Sequence, residues 1–263
     1  MTETALGQWK GRFPFTLECP SWIWPGDLLF NVRRLAAHVD SVELILFESG
    51  TTDSLPGPAV MTELAAIGRG EQLGYSVHLP LDVHIGAIDP AARAAAIRSF
   101  TRVVELTRPL APRHFYVHAD GRDRAAGPDA WAAAVRGGLA RLLRDTGVPP
   151  RMLAIENLGY PIEQIENLIT GLDLGVCIDT GHCIEYGHDL AGYMNCFAGR
   201  VAALHVHAPA GPASHGPLDT APAPARRALA RVLREFRGTV SAEVFAADHL
   251  TRTVACIEEM LNG

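Results

Sequence analysis

Short runs of apolar and β-branched residues recur along the chain, each followed by a longer segment whose apolar positions return every three or four residues. The first pattern is that of a buried strand, the second that of a helix lying on a sheet. Eight such pairs are predicted. The strands fall at 13–18, 42–48, 73–78, 113–118, 151–156, 174–179, 201–207 and 239–245. The helices fall at 27–38, 58–69, 90–108, 128–146, 161–171, 184–198, 222–236 and 248–261. Leu139, Leu142 and Leu143 form an i, i+3, i+4 stripe, and Ala91 to Val104 repeats the pattern. Asp89-Pro90 and Tyr160-Pro161 put proline where a first helical turn needs no N–H. Pro58, Pro128 and Pro222 are expected to play the same part, and Asp248 to serve as an N-cap.

Strict strand–helix alternation requires parallel strands joined by crossover helices. Eight repeats in 263 residues predict an α/β fold, a single (β/α)₈ TIM barrel spanning 1–263, rather than an open doubly wound sheet. No G-x-G-x-x-G follows a strand and there is no Walker-A loop, so a dinucleotide or P-loop fold lacks its main support. The Gly/Pro/Ala-rich segment 208–221 would then be the loop after strand 7, on the functional face.

Composition narrows the function classes. With 48% hydrophobic and 20% charged residues the chain is an ordinary globular one, which excludes a disordered protein. The net charge of −6 argues against a nucleic-acid partner, whose binder normally presents a basic face. Lys10 is the only lysine; the arginine bias reads as a GC-rich coding sequence, with bidentate phosphate recognition as the alternative. Cys19, Cys177, Cys183, Cys196 and Cys256 are odd in number, irregularly spaced and without C-x-x-C, so they read as reduced thiols. Residues 1–10 lack the apolar run of a signal peptide, and no apolar stretch is long enough for a membrane span. A cytoplasmic protein with no membrane partner is expected. Exposed barrel helices leave a homo-oligomer open.

The chemistry of such a barrel lies at the C-terminal ends of its strands. Glu48, His78, His118, Glu156, Asp179, the pair His205/His207, and Glu243 stand there, so seven of the eight predicted strands close on an ionisable group. Each alone reads as a hydrogen-bonded or ion-paired structural residue. Together they would converge on one mouth, where several carboxylates and imidazoles without a cation would be costly. A divalent cation relieves that repulsion. Mixed imidazole and carboxylate donors suit Zn²⁺, Mn²⁺, Fe²⁺ or Co²⁺ better than Mg²⁺ or Ca²⁺. His205 and His207 lie two apart on one strand and should face the same side.

Glu156, Asp179-x-x-His182, His207 and Glu243, at the ends of strands 5 to 8, resemble the xylose-isomerase-like barrels, which include sugar isomerases and epimerases and endonuclease IV-type repair enzymes. Five segments resemble one group within them, the cobamide-remodelling phosphodiesterases: Val42–Ser49, Val77–Asp82, Ile155–Pro161, Cys177–His182 and Leu204–His207. That resemblance implies hydrolysis of the nucleotide-loop phosphodiester of a cobamide such as adenosylcobalamin, giving cobinamide phosphate and an α-ribazole-type nucleoside. The wider xylose-isomerase-like pattern implies Glu156, Asp179, His207 and Glu243 as central metal ligands, with His182 a second ligand or a substrate contact, and one or two ions are expected. His78 and His118 match the strand-3 and strand-4 histidines of the endonuclease IV type. That type carries an Asp-x-His pair between strands 7 and 8. Here Ala213 stands two positions before His215, which puts a full trinuclear site in doubt.

Catalytic roles are expected for Glu156, Glu243, His182 and His215, with His182 or His215 as the proton donor to a leaving alkoxide and a ligand or substrate contact as the alternative for His215. Glu48, Arg122, Arg124 and Trp24 are expected to contact the substrate, a small molecule of the corrinoid class; surface and packing roles are the alternatives for the arginines and the tryptophan. Three other functions fit less well. A sugar epimerase needs about two carboxylate bases and one metal, fewer histidines than are present. DNA repair needs a basic rim. A barrel that merely binds a ligand does not need so many converging donors.

Overall fold

A computed structural model of the chain describes residues 6–46, 55–121, 126–160, 163–211 and 215–263. Eight parallel strands, Thr16–Pro20, Ser41–Ile45, Gly74–His78, Phe115–His118, Leu153–Glu156, Gly175–Asp179, Val201–Val206 and Thr239–Ala242, pair in chain order. The first closes on the last, with Thr16 opposite Thr239. The expected closed barrel is therefore present.

Side chains alternate across each strand, so one set faces the helices and the other the lumen. Leu17, Val42, Leu44, Val77, Val117, Ile155, Leu204 and Val240 are all fully buried in one continuous apolar shell with the helices. Trp131, Leu139 and Leu142 come into that shell from the helix Pro128–Thr146. The lumen differs. Its small apolar cluster holds only Tyr116, Ala154, Cys177 and Ala203. The rest of its filling is polar, including Glu18, Glu43, Ser76, His205 and Ser241, all fully buried.

Element boundaries follow the expected ones with local corrections. The first strand sits about three residues later than predicted, and the last ends at Ala242. Glu243 lies just beyond it, its N–H donating to Val206 at 3.2 Å. The helix expected over 184–198 is two, Thr180–Tyr186 and Leu190–Cys196. Gly187, at φ +71°, ends the first, and Asp189 caps the second by accepting from Ala191 N–H. Asp179 caps the first by accepting from His182 N–H at 2.8 Å, so that helix begins at the strand end itself. Pro222 precedes the helix Ala223–Glu235 as its cap residue, and Asp248 lies inside the first turn of Ala247–Asn262 behind the cap residue Ala246. Pro161 lies outside the described residues.

The loop after the seventh strand carries a two-residue antiparallel ribbon, Ala208–Pro209 against His215–Gly216, which folds His215 back over the barrel mouth. Among the described residues no helix is long and apolar enough to cross a membrane, and all five cysteines are free thiols.

Candidate metal centre

The C-terminal ends of the strands bring together the side chains expected there. Glu156 is the hub. His118 Nε2 lies 3.2 Å from its Oε1 and His78 Nε2 3.5 Å from its Oε2. The His78 and His118 rings meet edge to face at 4.9 Å. On the other side of the mouth, His207 Nε2 is 3.1 Å from Asp179, His215 Nε2 is 3.5 Å from Glu243, and the His207 and His215 rings are 4.0 Å apart. His182 stands between the halves, its Nδ1 3.3 Å from Asp179 and 3.5 Å from Glu156.

Backbone carbonyls set which nitrogen several imidazoles present. A carbonyl only accepts, so the ring nitrogen facing it carries the proton. His78 donates from Nδ1 to Leu79 at 2.9 Å and His182 from Nδ1 to Asn157 at 2.8 Å. Each therefore turns Nε2 away from the backbone. His207 faces Ala208 O through Nδ1 at 3.3 Å and Asp179 through Nε2 at 3.1 Å, two acceptors on one ring. Either a second proton or a cation must lie between that ring and the carboxylate. Asn157 ties the ends of the fifth and sixth strands, accepting from Asp179 N–H at 2.7 Å and donating to Asp179 O at 3.1 Å. Gly181 leaves the room His207 needs, since a Cβ there would run into the imidazole.

The electrostatics follow from burial and proximity. Burial opposes a charged imidazole, but Glu156, Glu43 and Glu243 outweigh it and push His78 up to about 9. Asp179 likewise overcomes burial and pushes His207 up to about 9. Burial opposes the carboxylates too, yet His118 and His205 hold Glu156, and His205 and His215 hold Glu243, well below the ordinary range. The cluster is thus built to hold positive charge.

Several of its buried atoms have no hydrogen-bond partner: His118 Nε2, Glu156 Oε2, His205 Nδ1 and Glu243 Oε2. Donor atoms of mixed imidazole and carboxylate type, unpartnered and converging, are what a divalent cation would satisfy. The groups with mutual reach include His78–His118–Glu156, Asp179–His207–His215–Glu243 and Glu156–Asp179–His182, the donors of each within 4.8 Å of one another. These side chains could hold a divalent metal of unspecified identity.

A cavity of about 590 Å³ opens above the cluster, reaching His78, His118, Glu156, His182, His215 and Glu243 and rimmed by Leu81, Tyr186 and Phe245. Trp24 does not line it; its half-buried ring is covered by the Arg34 guanidinium at 4.5 Å. Glu48, Arg122 and Arg124 lie outside the described residues. Sequence reasoning missed Glu43, Tyr186 and Phe245 and left His205 open. His205 is fully buried and faces the lumen beneath the cluster. The signal available for Glu43 was a carboxylate alternating with Val42 and Leu44 inside a strand.

A closed parallel barrel whose mouth gathers imidazoles and carboxylates from strand after strand defines a TIM barrel with a candidate divalent-cation site at its C-terminal face. The chain belongs to the xylose isomerase-like TIM barrel family, whose model matches residues 32–260. A comparison with curated proteins found no match. Among solved structures it is similar to a D-tagatose 3-epimerase-like protein at 15% identity, with a TM-score of 0.79 over 94% of this chain and 97% of that one. It is similar to endonuclease IV from Thermus thermophilus at 18% identity, with a TM-score of 0.75 over 94% and 99%. An L-ribulose 3-epimerase matches at 18% identity, with a TM-score of 0.70 over 94% and 95%. At these identities the likeness establishes the fold alone.

Proposed function

We propose that the protein is a metal-dependent phosphodiesterase, acting on the nucleotide-loop phosphodiester of a cobamide such as adenosylcobalamin and releasing cobinamide phosphate and an α-ribazole-type nucleoside. The observation that carries the phosphodiesterase reading is the partition of the cluster. His78–His118–Glu156 and Asp179–His207–His215–Glu243 share no residue, and each has its donors within 4.8 Å. Two such groups side by side fit a site for more than one cation, the arrangement that clamps both the attacking and the leaving oxygen of a phosphoryl group. Bound divalent metal would supply hydroxide from water near neutral pH and polarise the phosphoryl oxygens.

The chain's own residues would do the rest. Glu156 and Asp179 would hold the two halves in register through Asn157. His182, with Nδ1 committed to the Asn157 carbonyl, offers Nε2 to the cavity as a proton donor. Asp179 and Glu156 outweigh burial and raise its basicity, which keeps the proton available. His215, half-buried at the mouth, is counted with the second group of ligands, which leaves His182 as the donor to the departing alkoxide. Leu81, Tyr186 and Phe245 on the rim are three of the five exposed large apolar side chains among the described residues. Exposed apolar surface gathered at a mouth supports a substrate with an extended apolar face, as a corrin has.

A second reading, a sugar epimerase of the same family, is favoured by one observation. Glu156 and Glu243 both reach His205 Nδ1, at 3.3 and 3.1 Å, which brings together at one mouth the two carboxylates that a two-base proton shuttle needs. One experiment separates the two. Metal-reconstituted protein is incubated with adenosylcobalamin and, in parallel, with fructose, and products are read by mass spectrometry. Cobinamide phosphate from the wild type and none above background from Glu156→Ala is the expected result. Epimerised ketose with no phosphodiester cleavage under Zn²⁺, Mn²⁺, Fe²⁺ or Co²⁺ transfers the assignment to the epimerase.

A further inference from the structure

Beneath the cluster, two fully buried glutamates stand in the barrel lumen and are held differently. Glu18, from the first strand, accepts from the Ser41 hydroxyl at 2.5 Å through one oxygen and from the Tyr116 hydroxyl at 2.9 Å through the other. Glu43, from the second strand, accepts from the Ser241 hydroxyl at 2.8 Å through Oε2, while its Oε1 has no hydrogen-bond partner. Facing Glu43 is the fully buried His205 ring, its Nε2 3.8 Å from Glu43 Oε2. The opposite nitrogen, Nδ1, looks upward to Glu243 at 3.1 Å and Glu156 at 3.3 Å. Neither ring nitrogen is aligned for a hydrogen bond. The Tyr116 ring meets the imidazole edge-on at 4.6 Å, and the Cys177 thiol is within reach beside it.

Such an arrangement is expensive. A buried polar atom left without a partner forfeits its hydration, and here one ring and one carboxylate leave three such atoms. Glu18 shows that the same lumen can satisfy a carboxylate with hydroxyls alone. Packing therefore does not explain why Glu43 and His205 stand opposed. A group on the upper side of the ring does. A neutral imidazole has a lone pair on one nitrogen only. Glu243 and Glu156 lie closer to Nδ1 than Glu43 does to Nε2, so it is a cation held by those two carboxylates that would claim the Nδ1 lone pair and leave the proton on Nε2, toward Glu43. A cation on that side would draw charge from the ring and strengthen the Nε2–H as a donor toward Glu43.

We infer that Glu43 is a positioning residue for the metal centre, holding the His205 ring from inside the barrel so that Nδ1 is presented to Glu156 and Glu243. The inference rests on the cluster holding a divalent cation and is independent of which substrate is turned over.

The test uses Co²⁺ alone as probe, with binding read by titration and the ligand-field spectrum of the loaded protein recorded. Glu43→Gln keeps the shape and removes the charge. It is expected to weaken Co²⁺ binding by about 10- to 100-fold and to shift the spectrum, with Glu43→Asp recovering part of both. Glu18→Gln is expected to lower the melting temperature while leaving Co²⁺ affinity and spectrum as in the wild type. Should Glu43→Gln not fold, ¹⁵N NMR of the imidazoles in the Zn²⁺-loaded wild-type protein decides, the proton on Nε2 of His205 being the expected tautomer. A folded Glu43→Gln with wild-type affinity and spectrum, or a His205 proton on Nδ1, overturns the inference alone. A wild-type protein that takes up no Co²⁺ overturns it together with the metal reading.

Discussion

The two faces of each barrel strand obey different rules. Outward, Val42, Leu44, Leu204 and Val206 join an apolar shell with the helices, every one fully buried. Inward, on the same two strands, stand Ser41, Glu43, His205 and His207, nearly as buried and almost wholly polar. Barrels of this kind usually fill the lumen with bulky branched apolar residues. The shell gains the ordinary stabilisation of about 25 cal/mol per Å² of apolar surface removed from water, whereas the lumen gives that up and accepts desolvated carboxylates and imidazoles. Stability thus belongs to the outer face. What the inner face gains is a mouth of candidate ligands standing above a second tier of buried polar groups.

Removing metal should strain the lumen most. Without a cation, the buried Glu156 and Glu243 are left facing imidazoles, and Asp179 facing imidazoles and the His182 N–H. A cation present at about 1,000 times its Kd stabilises the fold by about 4 kcal/mol, or roughly 10 °C in melting temperature for a chain of this size. Chelation is expected to cost that much, measured by calorimetry before and after dialysis against a strong chelator and restored by re-addition. Identical melting curves in both states would remove the metal from the comparison.

The shell gives the next effect and the opposite specificity. Leu139 is fully buried on the helix Pro128–Thr146, far from any candidate ligand in the chain. Leu139→Ala should cost about 3 kcal/mol through lost burial and the cavity left behind. Denaturant unfolding measures the loss, and metal titration should give the wild-type stoichiometry and affinity. A change in metal affinity as large as the change in stability would show that shell and lumen are not separable.

How far this division is legible in the sequence depends on which face is asked about. The shell is what hydrophobic periodicity reports, which is why eight strand–helix pairs could be placed within a few residues. The site was legible because barrel geometry sends every strand end to one mouth, so Glu156, Asp179, His207 and Glu243 could be gathered without knowing any distance. The second tier was not. Glu43 stands mid-strand between Val42 and Leu44, below the strand ends where the chemistry of a barrel is expected, and the lumen at that level is ordinarily apolar. The partition of donors into two groups was equally hidden, since it depends on rotamers set by carbonyls such as Leu79 O and Asn157 O. The single helix expected over 184–198 failed for a local reason: a glycine such as Gly187 is tolerated within a helical pattern, whereas its left-handed conformation here ends one. Trp24 was drawn toward the mouth by its place after the first strand, but Arg34 covers its ring.

The smallest effect tests whether every polar group inside the barrel serves the site. His114 precedes the fourth strand at the end of the barrel away from the mouth, near Tyr116, with its Nδ1 unpartnered. Burial, helped by Arg113, pushes it down to about 4. It is therefore neutral in the folded protein while the unfolded chain titrates near 6.5. Between those values the unfolded state binds more protons, so stability rises with pH across that window and is lost as the pH falls from about 6.5 toward 4. The contribution is roughly 1–3 kcal/mol. His114→Leu should flatten this acid limb, measured by urea unfolding at pH 7, 5.5 and 4.5, with metal affinity at pH 7 unchanged. An acid limb as steep in the variant as in the wild type would assign the loss to the carboxylates and histidines of the mouth. A fall in metal affinity would extend the positioning network from Glu43 down to the barrel floor.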